Sequence, residues 1–134
     1  MTHSRAHKGF TLIEIVIAIA IVAFMMTATT IAFRALQKRG QMTSTKSTLK
    51  NTQTAISTYK MFAGVFPKTL KDLTEKPSDP KLLSKWPGQL LEKAPEDSWG
   101  QPIQYQLTPG KEHAYQLYSD GDPDEPQRID VWDI

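Results

Sequence analysis

Residues 10–33 read FTLIEIVIAIAIVAFMMTATTIAF and decide how the rest of the chain can be arranged. These 24 residues contain one charged side chain, Glu14, and neither glycine nor proline. As a helix they would extend roughly 36 Å at about 1.5 Å per residue, more than the hydrocarbon core of a bilayer at about 30 Å. A chain of 134 residues has little room to bury such a helix, which argues against a compact soluble enzyme. The segment predicts a membrane-spanning helix.

The sequence before this segment leaves two interpretations open. Residues 1–9, MTHSRAHKG, are short, polar and basic, and no convincing small-residue cleavage site follows the apolar run, so one interpretation is a plain signal anchor. The other is processing at the boundary between Lys8-Gly9 and the apolar residues. Glu14 favours the second, because a carboxylate is costly in hydrocarbon and normally has a partner. Nothing within residues 10–33 is expected to be that partner, so it must come from another molecule or from an α-amino group created by cleavage.

The sequence KGFTLIE, residues 8–14, resembles the class III signal of type IV pilins and type II secretion pseudopilins. The resemblance implies that a prepilin peptidase cleaves the Gly9–Phe10 bond and methylates the new Phe10 amine. It also implies that Glu14 meets the Phe10 amine of a neighbouring subunit. The implied orientation places the leader on the inner side of the membrane and the residues after the span on the outer side. Ile31 stands where family members often have a proline.

The helical pattern continues beyond the apolar segment. Apolar residues recur every seven positions and a second set fills the intermediate positions: Met42, Leu49, Ile56 and Ala63, then Thr45, Thr52 and Tyr59. Nine of the sixteen residues 43–58 are serine or threonine, which have modest helix propensity, so a flexible linker is the alternative. We predict one helix over about residues 10–62, ending near Gly64.

The region after this helix is interrupted by prolines. Residues 69–76 have the pattern of a short amphipathic helix, with Leu70 and Leu73 directed inward. Thr69 is the candidate N-cap. The large apolar residues that follow among the prolines are predicted to lie in the core: Leu82, Leu83, Trp86, Leu90 and Leu91.

A second resemblance lies in APEDSWGQPIQY, residues 94–105, which is similar to the Pro-x-Asp-Pro-Trp-Gly-Asn-Pro-Tyr signature of the major pseudopilins of type II secretion. The residues themselves predict a tight turn at Gly100, locked by Trp99, that leads into a strand. Three strands are expected: residues 103–107, residues 114–119 after a hairpin turn at Pro109-Gly110, and residues 129–132. The predicted fold class is α+β and pilin-like, a long N-terminal helix packed on a small antiparallel sheet with a C-terminal acidic loop.

Charge and composition restrict the class of function. Residues 34–93 carry 12 Lys and Arg against 4 Asp and Glu, whereas residues 112–134 carry Arg128 against seven acids. The basic residues are dispersed, with few aromatic residues among them, so no nucleic-acid binding is expected. The chain has no cysteine, and its single histidine outside the leader, His113, has no evident nucleophile or metal partner. No enzymatic activity is therefore expected.

The acidic C-terminal segment is the one candidate for site chemistry in the sequence. Residues 119–125 read SDGDPDE, and Asp130 and Asp133 follow. The spacing of the first three aspartates opens like an EF-hand, but Glu125 and Val131 occupy the positions that need glycine and glutamate. One interpretation is a solvated acidic loop. The other is a cation that bridges the carboxylates, because small domains without disulfides often need a metal.

The resemblance to major pseudopilins implies calcium as the structural cofactor of this loop. In that family the ion lies between a Ser-x-Gly-x-Asp-Gly segment and a later Asp-Ile pair. Ser119 matches the first segment and Asp130 resembles the second. Pro123 stands where the first aspartate of the family would be, so Asp122 or Asp124 substitutes for it. The expected metal ligands are Ser119, Asp120, Asp122, Asp124 and Asp130.

Four segments are predicted: a leader removed by prepilin peptidase (residues 1–9), a transmembrane and assembly helix (10–33), the amphipathic second half of that helix (34–63) and a globular periplasmic domain (64–134). The resemblance implies a structural subunit of the type II secretion pseudopilus, anchored in the inner membrane, that polymerises to drive protein export across the outer membrane. The implied partners are other copies of the chain, prepilin peptidase, the inner-membrane secretion platform and minor pseudopilins. The alternative is a type IV pilin or minor pilin for adhesion, motility or DNA uptake. Many such pilins close their C-terminal region with a disulfide, which a chain without cysteine cannot form.

Overall fold

The computed structural model describes residues 9–134, apart from the side chain of Ala28. Residues 1–8, which hold most of the predicted leader, lie outside the described residues. The chain divides into two compact units, one that ends at Lys38 and one that covers Arg39–Ile134. One helix, α1, contributes residues to both units.

Helix α1 covers Leu12–Ala63, in agreement with the helix predicted over residues 10–62. Gly64 ends it with a φ of 78°, and the Gly64 N–H donates to the carbonyl oxygen of Lys60 at 2.8 Å. Serine and threonine do not interrupt the helix, because many of their hydroxyls donate to the carbonyl oxygens four residues earlier: Thr43, Thr48, Thr52, Thr54, Ser57 and Thr58. The flexible-linker alternative is therefore wrong.

The apolar part of α1 is long enough to cross a membrane. The side chains described from Leu12 to Gln37 are all exposed. Among the described residues α1 is the one helix that meets the length and hydropathy of a membrane span, with a mean hydropathy of 2.5 over its most apolar stretch. The hydroxyls of Thr27, Thr29 and Thr30 donate to backbone carbonyl oxygens of the same helix at 3.0, 2.8 and 2.8 Å. Hydrocarbon requires such internal partners, because it holds no water to accept these bonds.

The second unit is built on the face of α1 that the seven-residue spacing predicts. Leu49, Ile56 and Tyr59 are almost fully buried there, and Thr45 and Thr52 are buried between them. The rest of the core comes from the end of α1, the following turn and the sheet: Ala55, Ala63, Leu73, Ile103, Tyr115, Leu117, Ile129 and Val131. Each large apolar side chain buried in this way contributes about 1.5–3 kcal/mol, so this face is what holds the helix to the sheet.

The region between α1 and the sheet contains less helix than expected. The helix predicted over residues 69–76 is a single 3-10 turn, Leu70–Leu73. Pro77 has no N–H to donate to the Leu73 carbonyl oxygen, so an α-helix cannot continue there. That oxygen instead accepts the N–H groups of Leu90 and Leu91, at 2.9 and 3.0 Å. Leu73 is fully buried and Leu70 is partly buried, as predicted.

A second short helix, α2, covers Pro80–Leu83. It begins at Asp79, whose side-chain Oδ1 accepts the Lys81 N–H at 2.9 Å. Of the five apolar residues predicted to lie in the core here, Trp86, Leu90 and Leu91 pack partly buried against it, whereas Leu82 and Leu83 of α2 lie outside it. A helix of one turn is too short to bury a full apolar face, which explains this difference.

The sheet has three antiparallel strands in the order β1-β2-β3: β1 is Gln104–Leu107, β2 is Tyr115–Gly121 and β3 is Pro126–Asp130. The third strand lies earlier than the predicted residues 129–132. The chain leaves the sheet at Asp130 because its Oδ1 accepts the Trp132 N–H at 3.2 Å and so begins a 3-10 turn, Val131–Asp133. With this correction the α+β class and the small antiparallel sheet are confirmed.

Candidate functional site

The first turn of α1 is closed by a reciprocal pair of hydrogen bonds. The Glu14 backbone N–H donates to Thr11 Oγ1 at 3.3 Å, and the Thr11 backbone N–H donates to Glu14 Oε2 at 3.1 Å. The Thr11 hydroxyl also donates to Glu14 Oε2, at 3.2 Å. Thr11 is thus the N-cap and Glu14 the third residue of a capping box, at the helix end whose dipole favours a carboxylate.

This contact corrects the expectation that Glu14 has no partner within residues 10–33. The signal for it in the sequence is the Thr-x-x-Glu spacing of Thr11 and Glu14, directly before the apolar run. Both bonds that the carboxylate accepts use Oε2, and within the described residues Oε1 accepts none. The side chain can therefore cap its own helix and still accept a proton donor from a second molecule.

The predicted cleavage bond lies just before α1. Gly9 and Phe10 are not helical, and the Phe10 side chain is 83% exposed. No atom lies within 4 Å of the position that a Cβ would take at Gly9. The Gly9–Phe10 bond is therefore reachable without unwinding the helix that follows it.

A buried carboxylate, Asp97, organises the turn before the sheet. Its Oδ1 accepts the backbone N–H groups of Trp99 and Gln101, at 3.0 and 2.8 Å. Its Oδ2 accepts the Ser119 hydroxyl at 2.6 Å. Gly100 completes the turn with a φ of 80°, which confirms the predicted turn position. The sequence predicts that Trp99 locks this turn, whereas Asp97 makes the hydrogen bonds that fix it.

The same turn is tied to α1. The Ser98 N–H donates to the Thr45 hydroxyl at 3.1 Å, and the Gln41 side-chain amide donates to the Ser98 carbonyl oxygen at 3.4 Å. Lys50, one turn further along α1, donates to the carbonyl oxygen of Val131 at 3.3 Å. Asp97 and these bonds together join the long helix, the turn and strand β2.

The residues predicted as metal ligands lie in different environments, one in the core and the others at the surface. Ser119 points into the core, where its hydroxyl donates to Asp97 and accepts the Gly121 N–H at 2.9 Å. Asp120 and Asp122 line a cleft of about 230 Å³ beside Gln101. The Asp122 Oδ1 also accepts the backbone N–H of Asp124, at 3.0 Å, inside the exposed loop.

Asp130 belongs to another cleft. That cleft, of about 260 Å³, is lined by His113 and Trp132 as well as by Asp130. The Asp130 Oδ2 lies 2.9 Å from Nη2 of Arg128, and its Oδ1 accepts the Trp132 N–H. Both oxygens of this carboxylate are therefore engaged by groups of the chain itself.

The five predicted ligands do not converge on one point in this arrangement. Between Gly9 and Ile134, no three histidine or acidic side chains form a group that could hold a metal ion. Calcium needs six to eight oxygens around one centre. The described side chains would have to move to bring their oxygens that close together. Calcium binding stays a prediction from the sequence.

The structural arrangement agrees with comparisons to known proteins. The family model "Type II secretion system (T2SS), protein G" matches residues 33–131, and the model "Prokaryotic N-terminal methylation motif" matches residues 4–30. The type II secretion system core protein G of Pseudomonas aeruginosa is 30% identical over 139 residues, which cover 96% of this chain and 97% of that protein. The core protein G of Vibrio cholerae is 24% identical, over 90% of this chain and 84% of that protein.

A solved structure shares the fold. The crystal structure of the major pseudopilin from the type 2 secretion system of enterohaemorrhagic Escherichia coli matches with a TM-score of 0.60 at 19% sequence identity. The match covers 75% of this chain and 94% of that one.

A long N-terminal helix, an N-terminal methylation motif and a small antiparallel sheet together define a pilin-like protein. The chain belongs to the family of type II secretion system protein G. Its role is accordingly that of a structural subunit of the secretion system.

Proposed function

We propose that this chain polymerises through its N-terminal helix into the pseudopilus that drives protein export across the outer membrane. The observation that carries the proposal is the apolar surface of α1, whose described side chains up to Gln37 are all exposed. Exposed apolar side chains over some seven turns cost free energy in water, so they need lipid or the helices of other subunits around them. A membrane supplies the first environment, and a filament of identical subunits supplies the second.

The type IV pilin alternative is less well supported. The family match is to a secretion protein, and it covers the globular part of the chain as well as the end of the apolar segment. A deletion strain complemented with the full chain distinguishes the two functions. We expect secreted proteins to remain in the periplasm without the chain and to be exported again with it, whereas twitching motility and DNA uptake should not change. Loss of motility with normal secretion would support the pilin alternative.

We further propose that the chain is anchored in the inner membrane by a single span, with residues 64–134 in the periplasm. Prepilin peptidase, the inner-membrane secretion platform and minor pseudopilins are its proposed partners besides copies of itself. No catalytic role is proposed. His113, which lines the same cleft as Asp130, stacks on the Trp132 ring at 4.0 Å between centroids, a contact that serves packing.

The accessible Gly9–Phe10 bond predicts processing. Mass analysis of the chain isolated from membranes should show loss of residues 1–9 and one added methyl group on Phe10. Replacing Gly9 with leucine should leave the precursor uncut. The peptidase would meet a branched side chain at the scissile bond, where the wild-type chain has none. Gly40→Leu is the matched control, since it adds the same side chain on an open face of α1. An intact Met1 in the wild-type chain, or a cut beyond Arg34, would contradict the prediction.

A further inference from the structure

One basic side chain, Arg128, lies among the acidic residues of the C-terminal segment. Arg128 is the only lysine or arginine in residues 112–134. Its Nη2 lies 2.9 Å from Asp130 Oδ2, and its guanidinium carbon lies 3.6 Å from the centre of the Tyr118 ring. We propose that Arg128, rather than a bound calcium ion, neutralises Asp130 and closes the C-terminal loop, so that this chain folds without calcium.

The strand register makes this arrangement part of the fold. Tyr118 on β2 is directly opposite Asp130 on β3, so both side chains lie on the same face of the sheet. Arg128 precedes Asp130 by two residues on β3 and therefore shares that face. A planar guanidinium can stack on a tyrosine ring and bind a carboxylate at the same time, which a lysine does less well.

The other oxygen of Asp130 is used as well. Its Oδ1 accepts the N–H of Trp132, which ends β3 and starts the turn Val131–Asp133. A calcium ion at Asp130 would have to share the carboxylate with this N–H and with the guanidinium, whose positive charge repels a cation. Ser119 is likewise engaged, because its hydroxyl is fully buried between Asp97 and the Gly121 N–H.

The loop between β2 and β3 is also too tight to surround an ion. Gly121 pairs with Pro126, which leaves four residues, 122–125, to make the connection. Gly121 has a φ of 80°, and a Cβ there would clash with the carbonyl oxygen of Gln127, so the two strands are in close approach. Calcium takes six to eight oxygens, which a closed four-residue connection does not gather around one point.

Thermal melting of the full chain in detergent tests the proposal. The wild-type melting midpoint should differ by less than about 1 °C between millimolar calcium and a chelator, whereas a calcium site saturated at about 100 times its Kd would raise it by roughly 10 °C. Isothermal titration of calcium should likewise show no binding, and Asp130→Asn should not change that result. A rise of several degrees with calcium that Asp124→Asn or Asp130→Asn removes would overturn the proposal.

Substitutions of Arg128 test the other part of the proposal, that this side chain neutralises Asp130 and closes the loop. Arg128→Gln should lower the melting midpoint by about 2–6 °C, because it loses an exposed ion pair and a ring contact together. Lys85→Gln, which removes the same charge from an exposed position, is the matched control and should change the midpoint little. In Asp130→Asn the further effect of Arg128→Gln should be smaller than in the wild type, since the two residues act as a pair. Equal midpoints for Arg128→Gln and Lys85→Gln would contradict the role of Arg128.

Discussion

Glu14→Gln should stop filament assembly by this chain while leaving cleavage after Gly9 intact. The amide keeps the size of the side chain and can still close the capping box with Thr11, because glutamine serves in that position as glutamate does. What it loses is the charge that we propose pairs with the Phe10 amine of a neighbouring subunit. Removing one partner of a buried ion pair costs about 3–5 kcal/mol, which lowers assembly roughly 100-fold or more. Electron microscopy of filaments sheared from cells that express the full chain measures the yield.

Thr11→Ala is the matched control for this variant. It removes the threonine half of the capping box, at a cost of about 1 kcal/mol, and keeps the Glu14 charge. We therefore expect filaments from Thr11→Ala and none from Glu14→Gln. If Glu14 acts only by capping its own helix, the order reverses, and Glu14→Gln filaments would disprove the intersubunit role. N-terminal mass analysis of both variants confirms that each was processed before assembly is compared.

The helix and its buried face could be predicted because both are local properties of the sequence. The seven-residue spacing that includes Leu49 and Ile56 identifies the face that meets the sheet, and Gly64 marks the end of the helix. The serine and threonine residues of α1 favoured a linker only because their average helix propensity is modest. Tertiary burial of Thr45 and Thr52 and the bonds that threonine hydroxyls make to earlier carbonyl oxygens outweighed that propensity.

The errors arose where a side chain competes with the pattern of apolar residues. Residues 129–132 alternate as a strand would, but the Asp130 carboxylate accepts the Trp132 N–H and turns the chain into a 3-10 turn. The partner of Glu14 was missed for a similar reason. A capping box is encoded by two polar residues three positions apart, here Thr11 and Glu14, and not by hydropathy. Such signals are visible in a sequence once the helix start is known to within one residue.

The contacts of the acidic residues could not be predicted, since they join positions far apart in the chain. Ser119 looks like part of an acidic loop in the sequence, yet the alternation of β2 directs it into the core. There it meets Asp97, 22 residues earlier, and no local pattern indicates that pairing. The expected ligand set for calcium combined side chains from both faces of the sheet for the same reason.

Asp97→Ala should be the most destabilising single substitution in the globular unit that does not touch its apolar core. It leaves the N–H groups of Trp99 and Gln101 and the hydroxyl of Ser119 without their acceptor. The Ser119 hydroxyl is buried and the two N–H groups are partly buried. A buried donor without a partner costs about 1–3 kcal/mol, so a total of about 3–5 kcal/mol is expected. At about 4 °C per kcal/mol, the melting midpoint of the full chain in detergent should fall by about 10–20 °C.

Asp79→Ala is the matched control, because Asp79 also accepts a backbone N–H through its carboxylate but lies exposed at the start of α2. Its loss should cost no more than about 1 kcal/mol. Asp97→Asn should fall between the two, since its amide oxygen can still accept from Trp99 and Gln101 while its amino group replaces the acceptor of the Ser119 hydroxyl. The effect of Ser119→Ala should shrink in the Asp97→Asn background, which identifies the pair as the source of the loss. If Asp97→Ala melts like Asp79→Ala, the buried carboxylate does not join helix, turn and sheet as inferred.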